Sequence, residues 1–292
     1  MDMLFQTIIN GLLLGGLYAT ATIGFSMVWG VMGVINLAHG AFIMIGAYVG
    51  YWAFAHFGLD PFLTIPLSMA VLFVIGYLLQ ELLLNRVMRT SLLLSLILTF
   101  GLDMFFINVV ILLFSSDFHS VNTSYTGSSL KVGTAFIPYV RLLTFTFALI
   151  LAGGFYLFLR RTRAGHAILA TALDKETARL MAINPSRVYS LTFGAGAALA
   201  GAAGSLASML FPISPIMGRE FIGAVFVITV LGGIGSVEGC VLAGLLYGLI
   251  QALASLVLGV SYQNIVAFII FLLILVLRPQ GLFGKRFYGE IS

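Results

Sequence analysis

MLFQTIINGLLLGGLYATATIGFSMVWGVMGVINLAHGAFIMIGAYVGYWAFAHFGL, residues 3–59, runs for 57 residues without an Asp, Glu, Lys or Arg. A helix of about 20 apolar residues crosses the hydrocarbon core of a bilayer. The stretch therefore holds two crossings, with a break between Gly30 and Gly40. The remainder follows the same rule. Of 292 residues, 61% are hydrophobic and 8% charged, against roughly 25% charged in a soluble domain. A surface that poor in charge is solvated by lipid. The expected fold class is all-α, a polytopic transmembrane helix bundle of about 8 to 10 spans with broken or re-entrant segments.

Working outward, further spans are expected over Pro61 to Gln80, Leu92 to Phe114, Leu142 to Leu159 and Val188 to Phe211. Phe221 to Val237 is 17 residues long, short for a crossing, and Gly239 to Leu277 has room for two spans broken near Gly259 to Gln263. Basic residues set the direction, because loops rich in Lys and Arg stay in the cytoplasm. Arg86 and Arg89 share one loop, Arg160, Arg161, Arg163, Lys175, Arg179 and Arg187 a second, and Arg278, Lys285 and Arg286 the tail. With Phe221 to Val237 counted as a crossing, these eleven of the fourteen basic residues fall on one side. The parity is nine spans, N-terminus outside and C-terminus inside. The chain then reads as one transmembrane domain, 1–292, with an external loop at 115–140 and a cytoplasmic loop at 160–187. The N-terminus lacks a basic region and a cleavage site, so its apolar run is expected to be a retained span.

The 33 glycines are clustered. GAGAALAGAAG, within the sixth span, reads as a helix face stripped for close packing, since small residues let helices approach where lipid gives no hydrophobic drive. The segments around Asn36 and around Gly232 to Gly239 mix glycine with polar residues inside apolar sequence, which is tolerated at membrane depth only in protein or along a cavity. Asn36, His39, Gly40, Gly232, Gly233 and Gly235 are therefore candidate pathway or hinge residues. Asn36 and His39, three apart, can share a helical face and present an amide and an imidazole to a polar solute, or else satisfy backbone groups at a helix break. Asp103 joins the candidates because an acid inside a span is costly and marks either function or a partner helix. Glu81, Glu220 and Glu238 fall at span ends, where a solvated position is expected.

Between His166 and Met181 the cytoplasmic loop has no Pro or Gly, and Leu169, Leu173 and Leu180 recur at helical spacing. Asp174, Glu176 and Arg179 are their polar neighbours, and Asn184-Pro185 ends the segment. An amphipathic helix lying between two spans suits a partner's groove; the alternative is a solvated helix on the lipid surface. The single cysteine, Cys240, reads as packing. There is no G-x-x-x-x-G-K-[ST] phosphate loop, no HExxH and no paired-cysteine motif, so no ATPase site, metal or cofactor is expected in this chain. The basic and aromatic surface of a nucleic-acid binder is missing as well.

Three stretches in order carry a resemblance: NGLLLGGLYATATIGFSMVWGVMGVINLAHGAFIMIGAY, DKETARLMAINPSRVYSLTFGAGAALAGAAGSL, and FIGAVFVITVLGGIGSVEGCVLAGLLYGLIQAL followed by LRPQGLFG. They resemble the shorter permease subunit of bacterial branched-chain amino acid ABC transporters. The resemblance implies a multi-pass protein of the bacterial inner membrane. Its partners would be a second, paralogous permease, two cytoplasmic ATPase subunits that hydrolyse ATP, and a periplasmic solute-binding protein that recognises the small-molecule substrate. It also implies that His166 to Ile183 is the segment seated in the ATPase. This chain departs from the family pattern at Ala41, where an acid often follows the His-Gly pair, at Leu169, where a basic residue is common, and at Ala182-Ile183, where Gly-Ile is usual. The first departure keeps urea or short amides as alternative substrates. A stand-alone secondary transporter, with Asp103 or His39 carrying a coupling ion, is the other reading.

Overall fold

In the computed structural model, which describes residues 2–88, 92–132 and 135–277, the uncharged opening run folds into α1 (Asp2–Met32) and α2 (His39–Phe57). The break between them opens on Gly33, whose φ of 68° lies in the left-handed region that glycine enters without penalty. The exposed amide and carbonyl of that break are met from a neighbouring helix: Thr99 Oγ1 accepts from the Leu37 N–H at 3.2 Å and faces the Ile35 carbonyl at 3.4 Å.

The chain continues as α3 (Ile65–Leu79), a π-helical turn (Gln80–Leu84), a short α4 (Asn85–Val87) and α5 (Leu92–Phe114). The loop expected to be external contains structure that its Ser, Thr and Gly content did not announce. Strands β1 (Ser129–Val132) and β2 (Ala135–Pro138) pair antiparallel, with Ser129 opposite Pro138. Then follow α6 (Tyr139–Arg161), α7 (Arg163–Leu173), α8 (Lys175–Leu180), α9 (Pro185–Ala207), α10 (Met217–Gly232) and α11 (Val237–Leu258). A 3₁₀ turn (Val260–Tyr262) leads into α12 (Gln263–Leu277). Arg89 and the tail residues Arg278, Lys285 and Arg286, with most of LRPQGLFG, lie outside the described residues.

Among the described residues, seven helices are long and apolar enough to cross a membrane. The 16 residues of α10 rise about 24 Å and the 15 of α12 about 22 Å, short of a core of about 30 Å. The chain of α10 nevertheless passes from one side to the other together with the loop before it. Gly11 and Gly15 of α1 abut Gly248 and Gly244 of α11, whereas Gly30 abuts Gly235, just before α11. The two helices are thus antiparallel, and α11 starts where α1 ends. Because α9 leaves on the opposite side, the loop 208–216 and α10 together make one passage. Gln6, near the start of α1, donates to the Phe136 carbonyl at 2.6 Å and accepts from its N–H at 2.8 Å. The first helix therefore begins on the side of the hairpin.

The glycine-rich run lies in α9, the most enclosed span, 89% of whose apolar window is buried. Three helices pack on it. Gly24 of α1 and Gly196 meet backbone to backbone, Gly46 of α2 meets Gly201, and Gly76 of α3 lies against Ala197 and Phe193. Just before α3, the Thr64 hydroxyl is 2.9 Å from that of Ser205 in α9, and Asn85 in α4 reaches Ser190 at 3.2 Å near the other end. These contacts make α9 the axis against which α1, α2 and α3 are set.

Candidate functional site

The two short-range breaks in the bundle end at the same place. His39 begins α2, and its Nε2 is 2.8 Å from the carbonyl of Ala21, well inside α1. The segment 33–38 thus climbs back from the end of α1, and α2 starts within the bundle. The loop 208–216 descends from the other side, and α10 starts beside α2: a methyl group on Gly40 would stand 2.7 Å from the Gly218 carbonyl oxygen. Only glycine at both positions permits this approach. Neither helix has a side-chain cap, Ala38 and Ile216 occupying the N-cap positions. First-turn amides of a helix lack intrahelical acceptors and carry the positive end of its dipole. Two such ends converge here.

Opposite them runs α5. Asp103 stands midway between Leu92 and Phe114, at mid-depth of the span, and its carboxylate faces the Ala41 backbone and the Arg219 guanidinium. Asp103, Arg219, Gly40 and Gly218 line an open cleft of about 440 Å³, completed by the apolar Leu37, Phe100, Met104 and Ile222. Arg219 is exposed and its Nη2 reaches only the Met104 sulfur, at 3.5 Å. Among the described residues, Glu176 with Arg179 is the only pair of opposite charges within 4.0 Å. Asp103 and Arg219 are thus neighbours without a direct ion pair. A charge exposed to lipid at helix centre is disfavoured by about 2.5–3.5 kcal/mol on insertion scales. This face is therefore covered by water or by protein, not by acyl chains.

Of the residues singled out in the sequence, Gly40 and Asp103 come together at this cleft. Asn36 and His39 do not share a helical face, because Asn36 lies in the non-helical break before α2 begins. Both are buried, at 2% and 0% exposure, and neither lines the cleft. His39 instead pins the start of α2 to α1. Gly232, Gly233 and Gly235 are at the far end of α10. There Gly233 and Gly235 take positive φ, 87° and 80°, and the Gly235 N–H donates to Ser26 Oγ at 2.9 Å. They shape the tight α10–α11 turn, which Ser236 closes by accepting from Gly239 N–H at 3.0 Å. Glu81 is not simply solvated: it accepts from Ser190 and Asn85 where α3 gives way to α4. Arg219 was not among the expected residues. Its signal was its position, a basic residue outside the cytoplasmic set at the head of the shortest internal span.

The loop expected to be cytoplasmic is two helices where the leucine spacing suggested one. Asp174 divides them by capping α8, accepting from Glu176 N–H at 2.9 Å and Thr177 N–H at 3.2 Å and also from the Thr177 hydroxyl. A residue that satisfies the next turn's amides with its own carboxylate starts a helix more readily than it continues one. Those bonds, the Thr177 hydroxyl first, hold its carboxyl below the usual carboxylate range. The leucines therefore part company. Leu169 packs partly against the core, whereas Leu173 and Leu180 are 81% and 86% exposed and Met181 beside them 74%. Arg179 donates to Glu176 at 2.9 Å on the same surface. After α8 the chain turns through Ala182, whose φ of 60° is left-handed.

Comparison with known proteins returns one consistent answer. The family model described as "Branched-chain amino acid transport system / permease component" matches residues 7–275. The high-affinity branched-chain amino acid transport system permease protein BraD of Pseudomonas aeruginosa is 35% identical over 298 residues, covering 96% of this chain and 95% of the relative. The corresponding permease protein LivH of Escherichia coli K12 is 32% identical over 303 residues, with the same coverage. A probable branched-chain amino acid transport permease protein of Methanocaldococcus jannaschii is 23% identical over 288 residues. No solved structure matches.

Proposed function

The chain belongs to the family of branched-chain amino acid transport permeases, and from that premise we propose that it is the membrane-spanning subunit of an ATP-driven importer that carries branched-chain amino acids across the bacterial inner membrane. ATP is hydrolysed by two partner subunits on the cytoplasmic side, a second permease completes the passage, and a periplasmic binding protein delivers the solute. The observation that carries this reading is the pair α7 and α8. They lie on the side assigned to the cytoplasm by Arg86, Arg160, Arg161 and Arg163, and they expose Leu173, Leu180 and Met181 around a fixed Glu176–Arg179 pair. An apolar knob with a polar rim on short helices is suited to a groove in a partner. Movement of that partner would be felt by α9, on which α7 and α8 both pack.

The relatives' descriptions favour branched-chain amino acids over the urea or amide reading that Ala41 left open. The test is reconstitution in liposomes. The chain alone should take up no leucine under an ion gradient, and the complex with its ATPases, second permease and loaded binding protein should take it up on addition of ATP. Gradient-driven uptake by the chain alone would show that it is a secondary transporter; ATP-driven uptake of urea but not leucine would move the substrate.

A further inference from the structure

We propose that Asp103 and Arg219 form a zwitterion-reading site in the membrane-embedded cleft: Asp103 takes the α-ammonium group of an amino acid, Arg219 its α-carboxylate, and Leu37, Phe100 and Ile222 its branched apolar side chain. The inference rests on the importer reading and adds to it that this subunit, and not the binding protein alone, recognises the solute.

The argument begins with what each group lacks. A guanidinium has five donors in a planar fork that matches a carboxylate, yet the only protein partner of Arg219 among the described residues is a thioether sulfur at 3.5 Å. Glu220, next in sequence, lies instead near Tyr18 of α1. The Asp103 carboxylate faces one backbone amide, that of Ala41, and has lone pairs to spare. A pair of opposite charges facing one cleft without closing on each other leaves room for a ligand carrying both charges.

The cleft suits such a ligand in three further respects. Its volume, about 440 Å³, falls in the range of ~300–1,000 Å³ typical of small-molecule sites. Its remaining lining side chains are apolar, so a bound side chain loses water contact while the charged end is held. The uncapped first turns of α2 and α10 border it through Gly40 and Gly218, whose amides, among the described residues, make no hydrogen bond outside their helices. Half-helix N-termini at mid-membrane favour the anionic end of a solute. Arg219 leads one of these helices, so side chain and dipole act on the same carboxylate.

The experiment uses the complete complex carrying Ile222→Cys, with the cysteines of the partner subunits replaced by serine; Cys240, the only native cysteine of this chain, is fully buried. The labelling rate of the new thiol by a maleimide is measured against leucine, against 4-methylpentanoate, which lacks the ammonium group, and against 3-methylbutylamine, which lacks the carboxylate. Leucine should slow labelling at concentrations at least about tenfold lower than either truncated compound, the scale of one lost charged hydrogen bond. Asp103→Asn and Arg219→Gln, each in the Ile222→Cys background, should raise the half-protecting leucine concentration by about tenfold or more. Equal protection by all three compounds, or none by leucine, overturns the site. If either charge variant fails to assemble, the comparison of compounds on the Ile222→Cys complex still decides. Leucine uptake by that same complex tests the premise separately: uptake without protection removes the zwitterion site and leaves the importer standing, whereas absence of uptake in the unsubstituted complex removes the importer reading itself.

Discussion

Replacing Gly46 by alanine tests the central packing claim, and Gly154→Ala supplies its opposite. A methyl group on Gly46 would stand 2.5 Å from the Gly201 Cα, whereas carbon atoms in favourable contact are about 3.5–4.0 Å apart. The obstacle is backbone, which has no rotamer to change, so α2 and α9 must separate by about 1 Å. A gap of that size forfeits a quarter to a half of each contact along the seam, and overpacking of this kind destabilises by about 1–3 kcal/mol. Because the obstacle is backbone, the cost lies at the upper end of that range, about 3 kcal/mol; alanine returns about 1 kcal/mol of helix propensity, which leaves a net loss of about 2 kcal/mol. Gly154 is exposed in the middle of α6 with nothing within 4 Å of an added methyl. There only the propensity gain of about 1 kcal/mol remains. At about 2–4 °C per kcal/mol, thermal unfolding of the purified chain in detergent should fall by about 4–8 °C for Gly46→Ala and rise by about 2–4 °C for Gly154→Ala. A Gly46→Ala protein as stable as the parent would refute the backbone-to-backbone seam between α2 and α9.

Three other outcomes are expected. Leu180→Asp combined with Leu173→Asp replaces exposed apolar groups with charge, so co-purification of the ATPase subunits should fall by tenfold or more, on the scale of about 1.5–3 kcal/mol for burying one leucine, while the fold is kept. Ala182→Gly removes the side chain from a left-handed residue, where an L-residue is disfavoured by about 1–2 kcal/mol; unfolding temperature should rise, and no change would mean that the turn after α8 is not held at positive φ. The Asp174 carboxyl is depressed in the folded chain, so its contribution to α8 is fully present above the ordinary aspartate value of about 3.9. That contribution is lost as pH falls through the lowered folded value. Amide exchange at Glu176 and Thr177, corrected for intrinsic pH dependence, should therefore stay protected at neutral pH and open only under acid conditions, and Asp174→Ala should open it at neutral pH.

The spans were legible because lipid makes one simple demand, uncharged length, and the chain answers it in intervals bounded by Arg, Lys, Asp and Glu. The break after Met32 and the turn at Gly233 were legible for a related reason, since glycine next to Asn or Ser inside apolar sequence has few other uses. The site was less so. Asp103 was visible as an isolated acid, but its partner Arg219 comes 116 positions later at a helix start, and nothing local links the two. Of the two readings open for Asn36 and His39, the shared face required a segment already helical, and α2 begins only at His39, whose ring bonds the Ala21 carbonyl. The single amphipathic helix expected over 166–181 failed at Asp174. Its capping carboxylate is a local hydrogen-bonding effect, while the leucine spacing across it is only a pattern. The β1–β2 hairpin was hidden because Ser and Gly in a polar loop signal a turn without saying whether the flanking residues pair.

Cleft and docking helices belong to opposite ends of the same mechanical problem. The helices α1, α2 and α3 are seated on α9 through glycine and carbonyl contacts that cannot slide without collision, so this group moves as one body when α7 or α8 is displaced. By contrast, α5 is bound to the bundle chiefly through α2, and only 22% of its apolar window is buried, against 89% for α9. Packed interfaces resist continuous deformation and yield at their weakest seam. In this chain that seam runs between α5 and the first turns of α2 and α10, which is the wall-to-wall width of the cleft between Asp103 and Arg219. Under the proposed function, a push delivered at Leu173 and Leu180 would alter the separation of the two charges before it disturbed the glycine-packed core, and a solute held by both would feel the change at its ammonium and carboxylate ends.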